Sequence, residues 1–520
     1  MYWAFLLLKN SYIAIVYCKL HNILLETGMK IIALIFFSFC ISQIGFAQQK
    51  PNIIYIYADD LGYGELGCYG QQKIKTPNLD QIAKEGIRFT QHYTSAPVCA
   101  PARCMLMTGK HSGHSYIRGN YELGEFGDDQ EGGQMPLPEG TFTIAKLMKQ
   151  AGYTTAAIGK WGLGMASTTG DPNKQGFDYF YGYLDQKQAH NYYPTHLWEN
   201  GKWDTLNNTF IQVHRPLSKE APDAAFNYYK GKDYSLTKMA DKTLAFIKKN
   251  KNKPFFLYLP YTGPHVSLQA PDEVVNEYIG KFEEKPYRGE NGYAATLYPL
   301  STYAGIITYL DKQVGRIIKL LKELDLDSNT IVLFSSDNGA TFNVGGADTD
   351  FFNSVAGLRG KKQDLYEGGI REPLIARWPK KIPAGKVTNH VSVQFDLMAT
   401  LAEITGVKVL PNDGISFLPT LLGNEKKQKK HDFLYFEFPE KTGQVAIRIG
   451  DWKGVKTNMK KDKNAPWEIY NLALDVNETT DLAKSQPELV KQLEVIMKRE
   501  HQSSHIKEWE FVDPKFSAKK

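Results

Sequence analysis

Asn52-Ile53-Ile54-Tyr55-Ile56-Tyr57, running into Ala58-Asp59-Asp60-Leu61-Gly62-Tyr63-Gly64, is the stretch that decides the fold. It is a short, β-rich apolar run that breaks off in a polar, glycine-containing segment. The same arrangement recurs three times. Tyr153 to Ile158 ends in Gly159-Lys160-Trp161-Gly162, and Phe255 to Leu259 ends in Pro260-Tyr261-Thr262-Gly263-Pro264-His265. Thr330 to Phe334 ends in Ser335-Ser336-Asp337-Asn338-Gly339. Continuous apolar runs of this length suit strands buried on both faces, as in a parallel sheet.

Helical patterns lie between the runs. Ile307, Leu310, Val314, Ile317, Leu321 and Leu324 alternate at spacings of three and four, one apolar stripe along a helix. Strand–helix–strand alternation implies an α/β fold, a doubly wound, mostly parallel sheet with right-handed crossovers. Ligands in such sheets bind beyond the carboxyl ends of the strands, so polar residues after four separate strand ends can converge. Past about residue 430 the texture changes. Phe433 to Phe438, Gln444 to Ile449, Trp452 to Lys456 and Trp467 to Asn471 read as short strands joined by turns. They predict a smaller C-terminal α+β subdomain over 429–520, after a main domain over 48–428. Its final helix is expected to start at Ser485, with Glu488 completing a capping box and Leu489, Leu493, Ile496 and Met497 facing inward.

The 520 residues carry a net charge of +6, with 42% hydrophobic and 23% charged residues, ordinary values for a globular chain. No basic block or stripe points to a nucleic-acid partner. Met29-Lys30, the apolar run Ile31 to Phe37 and then Gly45-Phe46-Ala47 read as a signal peptide ending near Ala47-Gln48. Residues 1–28 are then an upstream extension and Met29 the true start. A periplasmic or secreted protein without a stable membrane anchor is expected. Only Cys68, Cys99 and Cys104 follow the signal peptide, which is no disulfide scaffold; Cys68 and Cys104 can be free or paired.

Asp59, Asp60, Asp337 and Asn338 offer only oxygen donors. Three carboxylates and an amide suit a hard divalent cation such as calcium or magnesium, and not zinc. Each pair alone would serve equally as a helix cap or turn. Further along, Cys99-Ala100-Pro101-Ala102-Arg103 is followed by Met107-Thr108-Gly109.

This C-x-P-x-R pattern with a downstream Thr-Gly resembles the signature of the type I sulfatases, and the resemblance extends from Asp59 to about Asp481. It includes Leu358-Arg359-Gly360-Lys361-Lys362 with Tyr366-Glu367-Gly368-Gly369-Ile370-Arg371, the Asp413 to Pro419 segment and Trp467 to Leu472. The resemblance implies an alkaline phosphatase-like sheet and a sulfuric ester hydrolase. It implies that a maturing enzyme oxidises Cys99 to formylglycine, whose hydrate attacks sulfur with one hydroxyl and expels sulfate with the other. It also implies one calcium ion held by Asp59, Asp60, Asp337, Asn338 and the residue at position 99. Relatives with two zinc ions usually show Asp-His where this chain has Asp337-Asn338, which favours one metal. Arg103, Lys160 and Lys362 would match the charge of the sulfate, and His265 would protonate the leaving oxygen.

One departure stands out. Where the family commonly reads G-K-W-H-L-G, this chain has Gly159-Lys160-Trp161-Gly162-Leu163-Gly164, so one histidine is missing; His111, His114 or His190 are candidates to replace it in space. Export and the aromatic-rich segment Tyr179 to Trp203 point to a sulfated carbohydrate substrate, although those aromatics would serve equally in packing. Two other readings remain open on sequence: a phosphonate monoester or phosphodiester hydrolase with the same nucleophile, and a non-catalytic sulfoglycan-binding homologue.

Overall fold

The computed structural model describes residues 50–120, 122–124 and 126–512, together with Lys19. The signal peptide, the start at Met29 and, Lys19 apart, the upstream extension lie outside the described residues. From Pro51 onward the chain forms one compact unit.

Its centre is a run of parallel strands. β1 (Asn52–Asp59) lies between β7 (Phe255–Pro264) and β8 (Thr330–Ser336) and is parallel to both. β3 (Thr154–Lys160) continues outward from β7 and β4 (Tyr179–Tyr183) from β3, again in parallel. Of these, β1, β3, β7 and β8 are the four apolar runs read from the sequence, each extended by a few residues into its polar tail. The flanks depart from a purely parallel sheet. β9 (Arg371–Arg377) is antiparallel to both β8 and β2 (Ile87–Tyr93), and β5 (His196–Glu199) with β6 (Lys202–Thr205) folds back antiparallel on β4. Short β10 (Lys386–Thr388) and β11 (Ser392–Val393) pair with β2 to complete an eleven-stranded sheet.

Both faces of the central strands are covered, which explains their unbroken apolarity. Ile54 and Ile56 of β1 point into one core with Leu257, Leu259, Val332 and Phe334. Ile53, Tyr55 and Tyr57 point into the other, with Phe256, Tyr258, Ile331 and Leu333. The first core is closed by the helix Pro299–Glu323, whose Ile307, Leu310, Val314, Ile317 and Leu321 are fully buried. The second is closed in part by the helix Cys99–Thr108, through Ala100, Cys104, Leu106 and Met107. Cys68 and Cys104 are both free thiols, and Cys104 accepts a contact from Ser115 Oγ at 3.4 Å.

The C-terminal strands form a separate antiparallel sheet of β12 (Leu434–Phe438), β13 (Gln444–Ile449), β14 (Trp452–Lys456) and β15 (Trp467–Asn471). Its helix is Pro487–Glu500 and starts later than the capping-box reading placed it. Pro487 takes the first helical position, where its fixed φ and missing N–H are harmless, and Ser485 sits in the preceding turn, donating to the Leu482 carbonyl. Leu493, Ile496 and Met497 are buried as expected, and Leu489 packs against them.

Buried ion pairs tie this sheet to the main one. Lys453 on β14 reaches Glu367 at 2.9 Å and Glu478 at 2.8 Å. Glu437 on β12 receives Arg118 at 2.6 Å and His501 Nδ1 at 2.9 Å, while His501 Nε2 meets Glu510 at 2.8 Å. Burial alone would lower the His501 pKa, but hydrogen bonds to Glu437 and Glu510 lift it from 6.5 to about 9. A pKa raised on folding stabilises fully below the unfolded value and is lost as pH rises through the folded one. His501→Gln is therefore expected to lower stability by about 1–3 kcal/mol below pH 6.5, with the deficit closing above about pH 9. Denaturant melts of both proteins across that range measure it, and a pH-independent deficit contradicts the charge assignment.

Candidate active site

Register builds the site. Asp59 pairs with Pro264 on β7, and Ala58 with Ser336 on β8. Asp59-Asp60, His265 and Asp337-Asn338 therefore leave the sheet side by side at its carboxyl edge. Asp60 turns out of the strand with φ +63°, a conformation Asp tolerates better than most residues. Its N–H donates to Asp337 Oδ1 at 3.0 Å, and Leu61 N–H to Ser336 Oγ at 2.9 Å. β3 brings Lys160 from the other side of β7. Lys362 arrives on a loop that packs closely on the Asp337 segment. Gly339 N–H donates to the Gly369 carbonyl at 3.1 Å, and a Cβ at Gly339 would stand 2.2 Å from the Gly368 carbonyl oxygen, so only glycine permits this approach.

Cys99 opens the helix Cys99–Thr108 and is buried with its side chain over the carboxylates. Sγ lies 3.3 Å from Asp59 Oδ1, 4.0 Å from Asp60 Oδ1 and 3.7 Å from Lys362 Nζ. Asn120 Oδ1 accepts from Ala100 N–H at 2.9 Å, satisfying one of the free donors of the helix start. Burial, with the Asp59 carboxylate beside it, pushes the Cys99 thiol far above its ordinary range even though Lys160 and Lys362 oppose that shift. A thiol held protonated is a poor nucleophile.

The charges form a closed set. Asp59 Oδ2 receives Lys160 Nζ at 2.7 Å and lies 3.5 Å from Arg103 Nη2. Arg103 Nη2 also reaches Asp337 Oδ2 at 2.7 Å, and its Nη1 the Lys160 carbonyl at 2.6 Å. Asp60 receives Lys362 Nζ at 2.9 Å and Asn338 Nδ2 at 2.7 Å. Arg103 thus sits behind the carboxylates as a brace, whereas Lys362 faces Cys99. His265 Nδ1 is 2.5 Å from the Val266 carbonyl; that contact assigns the proton to Nδ1 and leaves the Nε2 lone pair toward Lys362 Nζ, 3.3 Å away. Burial lowers the His265 pKa to about 4, against the nearby Asp60 carboxylate.

The donors can be tested against a cation. Oxygens of Asp59 and Asp60, Cys99 Sγ and a His265 ring nitrogen lie within 4.8 Å of one another. Asn338 Oδ1 is fully buried with no hydrogen-bond partner, a costly condition for an amide oxygen unless something positive meets it. Asp337 stands slightly apart, occupied by Arg103 and the Asp60 N–H. Clustered carboxylate oxygens plus an orphaned amide oxygen fit a hard divalent ion.

Of the three histidines considered as replacements, only His190 is near. Its ring stacks on His265 with centroids 5.0 Å apart and planes at 10°. His111 and His114 instead contact Glu500 at 3.2 Å and Asp413 at 3.0 Å, between the main and C-terminal parts. Sequence reading missed what lies behind His190. Its Nδ1 is 3.2 Å from His214 Nε2, and His214 Nδ1 is 2.5 Å from Asp128 Oδ1. The carboxylate orders the whole chain, so His190 presents Nε2 as an acceptor. Tyr293 meets His190 and His265 edge-on and His214 at a tilt. Gly162 has φ +73°, and a Cβ there would stand 2.8 Å from Cγ of Gln186; the Gln186 side chain occupies the space beside the missing histidine. Nothing in the spacing of these residues signalled either contact.

Buried carboxylates and cations around Cys99, at the carboxyl edge of a mostly parallel sheet, together with the likeness to solved structures, define a hydrolase of the alkaline phosphatase superfamily. The family model for sulfatases matches residues 51–407, and that for the C-terminal region of N-sulphoglucosamine sulphohydrolase matches 360–504. The chain belongs to the sulfatase family, as a type I sulfatase and sulfuric ester hydrolase. It is 29% identical to an N-acetylgalactosamine-6-O-sulfatase of Bacteroides thetaiotaomicron over 86% of this chain and 93% of that one. Human steryl-sulfatase is 30% identical over 75% and 72%. Among solved structures, Ps i-CgsB in complex with k-i-k-neocarrahexaose superposes with a TM-score of 0.69 at 30% identity, covering 87% of this chain and 94% of that one. A phosphonate monoester hydrolase of Agrobacterium radiobacter shares the fold at 20% identity and a TM-score of 0.59.

Removing the brace should expose the cost of the buried charges. In chelator-treated protein, Arg103→Met is expected to lower stability by about 3–5 kcal/mol, because Asp59 and Asp337 lose a buried partner. Denaturant midpoints measure this, and a change within ~1 kcal/mol would contradict it.

Proposed function

We propose that this protein is an exported sulfatase that removes sulfate from a sulfated carbohydrate, using formylglycine made from Cys99 and one calcium ion. The observation that carries the reading is the placement of Cys99 Sγ at a helix start, 3.3 Å from Asp59 and 3.7 Å from Lys362. A buried, protonated thiol there is unsuited to attack by itself, which supports its conversion by a maturing enzyme. Synthesis would start at Met29, and the signal peptide ending near Ala47 would be removed on export to the periplasm or beyond, leaving the catalytic domain 48–428 and subdomain 429–520. Among the described residues no helix is long and apolar enough to cross a membrane.

Formylglycine at position 99 would supply the attacking oxygen, and calcium held by Asp59, Asp60, Asp337, Asn338 and residue 99 would polarise the sulfate oxygens. The chain's own residues do the rest. Lys160 and Lys362 bind and orient the sulfate in a site where water is excluded and charge interactions are strong. Arg103 holds Asp59 and Asp337 in position. Lys362 Nζ and His265 Nε2 share a proton that can be delivered to the departing oxygen, a contribution of ~10²–10⁴-fold when the donor is well placed. His190, stacked on His265, is the residue best placed to assume the role of the histidine absent at Gly162.

A carbohydrate is favoured over a steroid by the polar surroundings of the site, where Asp128, His214 and His190 form a hydrogen-bonded chain that ends against the ring of His265. The name of one relative, N-acetylgalactosamine-6-O-sulfatase, and the complex of the neighbour Ps i-CgsB with k-i-k-neocarrahexaose support the same class.

Protein matured in its native host should carry a peptide across position 99 lighter by about 18 Da, the change from thiol to aldehyde. Cys99→Ala should lower turnover roughly 10³-fold or more with an unchanged melting temperature. Paired aryl esters should release sulfate in preference to phosphate or phosphonate. Full activity in Cys99→Ala, or preferential release of phosphonate, would overturn the reading.

A further inference from the structure

Asp128, the last member of the histidine chain, also lines a cavity of 510 Å³ beside the site, within the size range of small-molecule pockets. The opposite wall is aromatic. Trp203 on the β5–β6 hairpin is 63% exposed, and the His196 ring stacks beneath it with centroids 4.0 Å apart and planes at 23°. Trp198 stands edge-on to Trp203 at 6.1 Å. Glu131 locks this platform: its Oε2 accepts from Trp198 Nε1 at 2.9 Å and its Oε1 lies 3.2 Å from His196 Nε2. Phe210, 44% exposed, adds a second apolar surface.

The charges of the lining select among ligands. Asp128, Asp129 and Glu131 face the cavity, and Lys187, the one lysine on its wall among the described residues, donates to the Phe126 carbonyl. A sulfate or carboxylate entering here would meet three acids, and repulsion of like charge in a partly dry cleft is a strong selector. A ring with an apolar face and many hydroxyls would instead lie on the indole of Trp203, whose π-face carries partial negative charge that attracts C–H groups. Its hydroxyls would donate to the carboxylates.

Building on the carbohydrate reading above, we propose that this cavity binds a neutral, unsulfated sugar residue of the substrate, stacked on Trp203, while the sulfated sugar occupies the site at Cys99. The chain Asp128–His214–His190–His265 joins the two subsites. The enzyme then prefers oligosaccharides over monosaccharides and disfavours substrates with a uronate or second sulfate at the neighbouring position.

The test uses the matured full-length enzyme and Trp203→Ala with three probes: p-nitrophenyl sulfate, sulfated oligosaccharides with neutral neighbours (N-acetyllactosamine oligomers with a single 6-sulfate on N-acetylglucosamine), and chondroitin 6-sulfate oligosaccharides, whose neighbour is a uronate. Trp203 is exposed and touches no catalytic group, so aryl sulfate kinetics should not change. KM for the neutral-neighbour oligosaccharides should rise about tenfold in Trp203→Ala with kcat kept, the loss expected of one aromatic contact. Glu131→Gln should improve kcat/KM for the uronate-bearing oligosaccharides relative to the neutral ones. Turnover of oligosaccharides that is indifferent to Trp203, or a wild-type preference for the uronate-bearing series, overturns the cavity's assignment alone. Turnover of the aryl ester with none of the oligosaccharides overturns the carbohydrate reading and the assignment together.

Discussion

Three carboxylates buried where adjacent parallel strands end must be matched by positive charge, and most of the surrounding structure follows from that requirement. The ladder from β7 through β1 to β8 aligns Asp59, His265 and Asp337. Carboxylates withdrawn from water are tolerated only when paired and hydrogen-bonded. Lys160 arrives on β3, Arg103 on the helix begun by Cys99, and Lys362 on a loop whose glycines allow it to pack against Asn338-Gly339. Three anions face three cations, so a divalent ion among the oxygens would leave a net positive site suited to an anionic ester.

The same requirement explains the role of the second sheet. Lys453 on β14 pairs with Glu367, and Glu367 belongs to the segment that carries Lys362. Glu437 on β12 pairs with Arg118, which follows the Cys99 helix in sequence. The C-terminal sheet thus anchors two loops of the site through buried ion pairs, which are poor sources of net stability but specific in geometry.

Much of this was legible in the residues. Central strands buried on both faces are unbroken apolar runs, and their polar tails identify the converging groups. The antiparallel flank was not legible, because Arg371-Glu372-Pro373 does not look like a strand; its burial depends on partners far away in the chain. The histidine chain escaped for a similar reason. Asp128, His190 and His214 sit in turns and a single 3-10 turn up to 86 residues apart, where no periodicity links them. Gly162 was visible as a departure, but its complement, Gln186, shows itself only when the backbone is folded. The capping box failed because Pro487 sets the helix start more firmly than Ser485 can.

The account depends on a modified residue 99 against a hard cation at the end of β1. Anomalous X-ray diffraction from crystals of natively matured protein tests both parts at once. The prediction is oxygen instead of sulfur on the side chain at position 99, and a calcium peak about 2.3–2.6 Å from oxygens of Asp59, Asp60, Asp337 and Asn338. An intact Sγ with no cation peak among those oxygens, in protein that still hydrolyses sulfate esters, would contradict it.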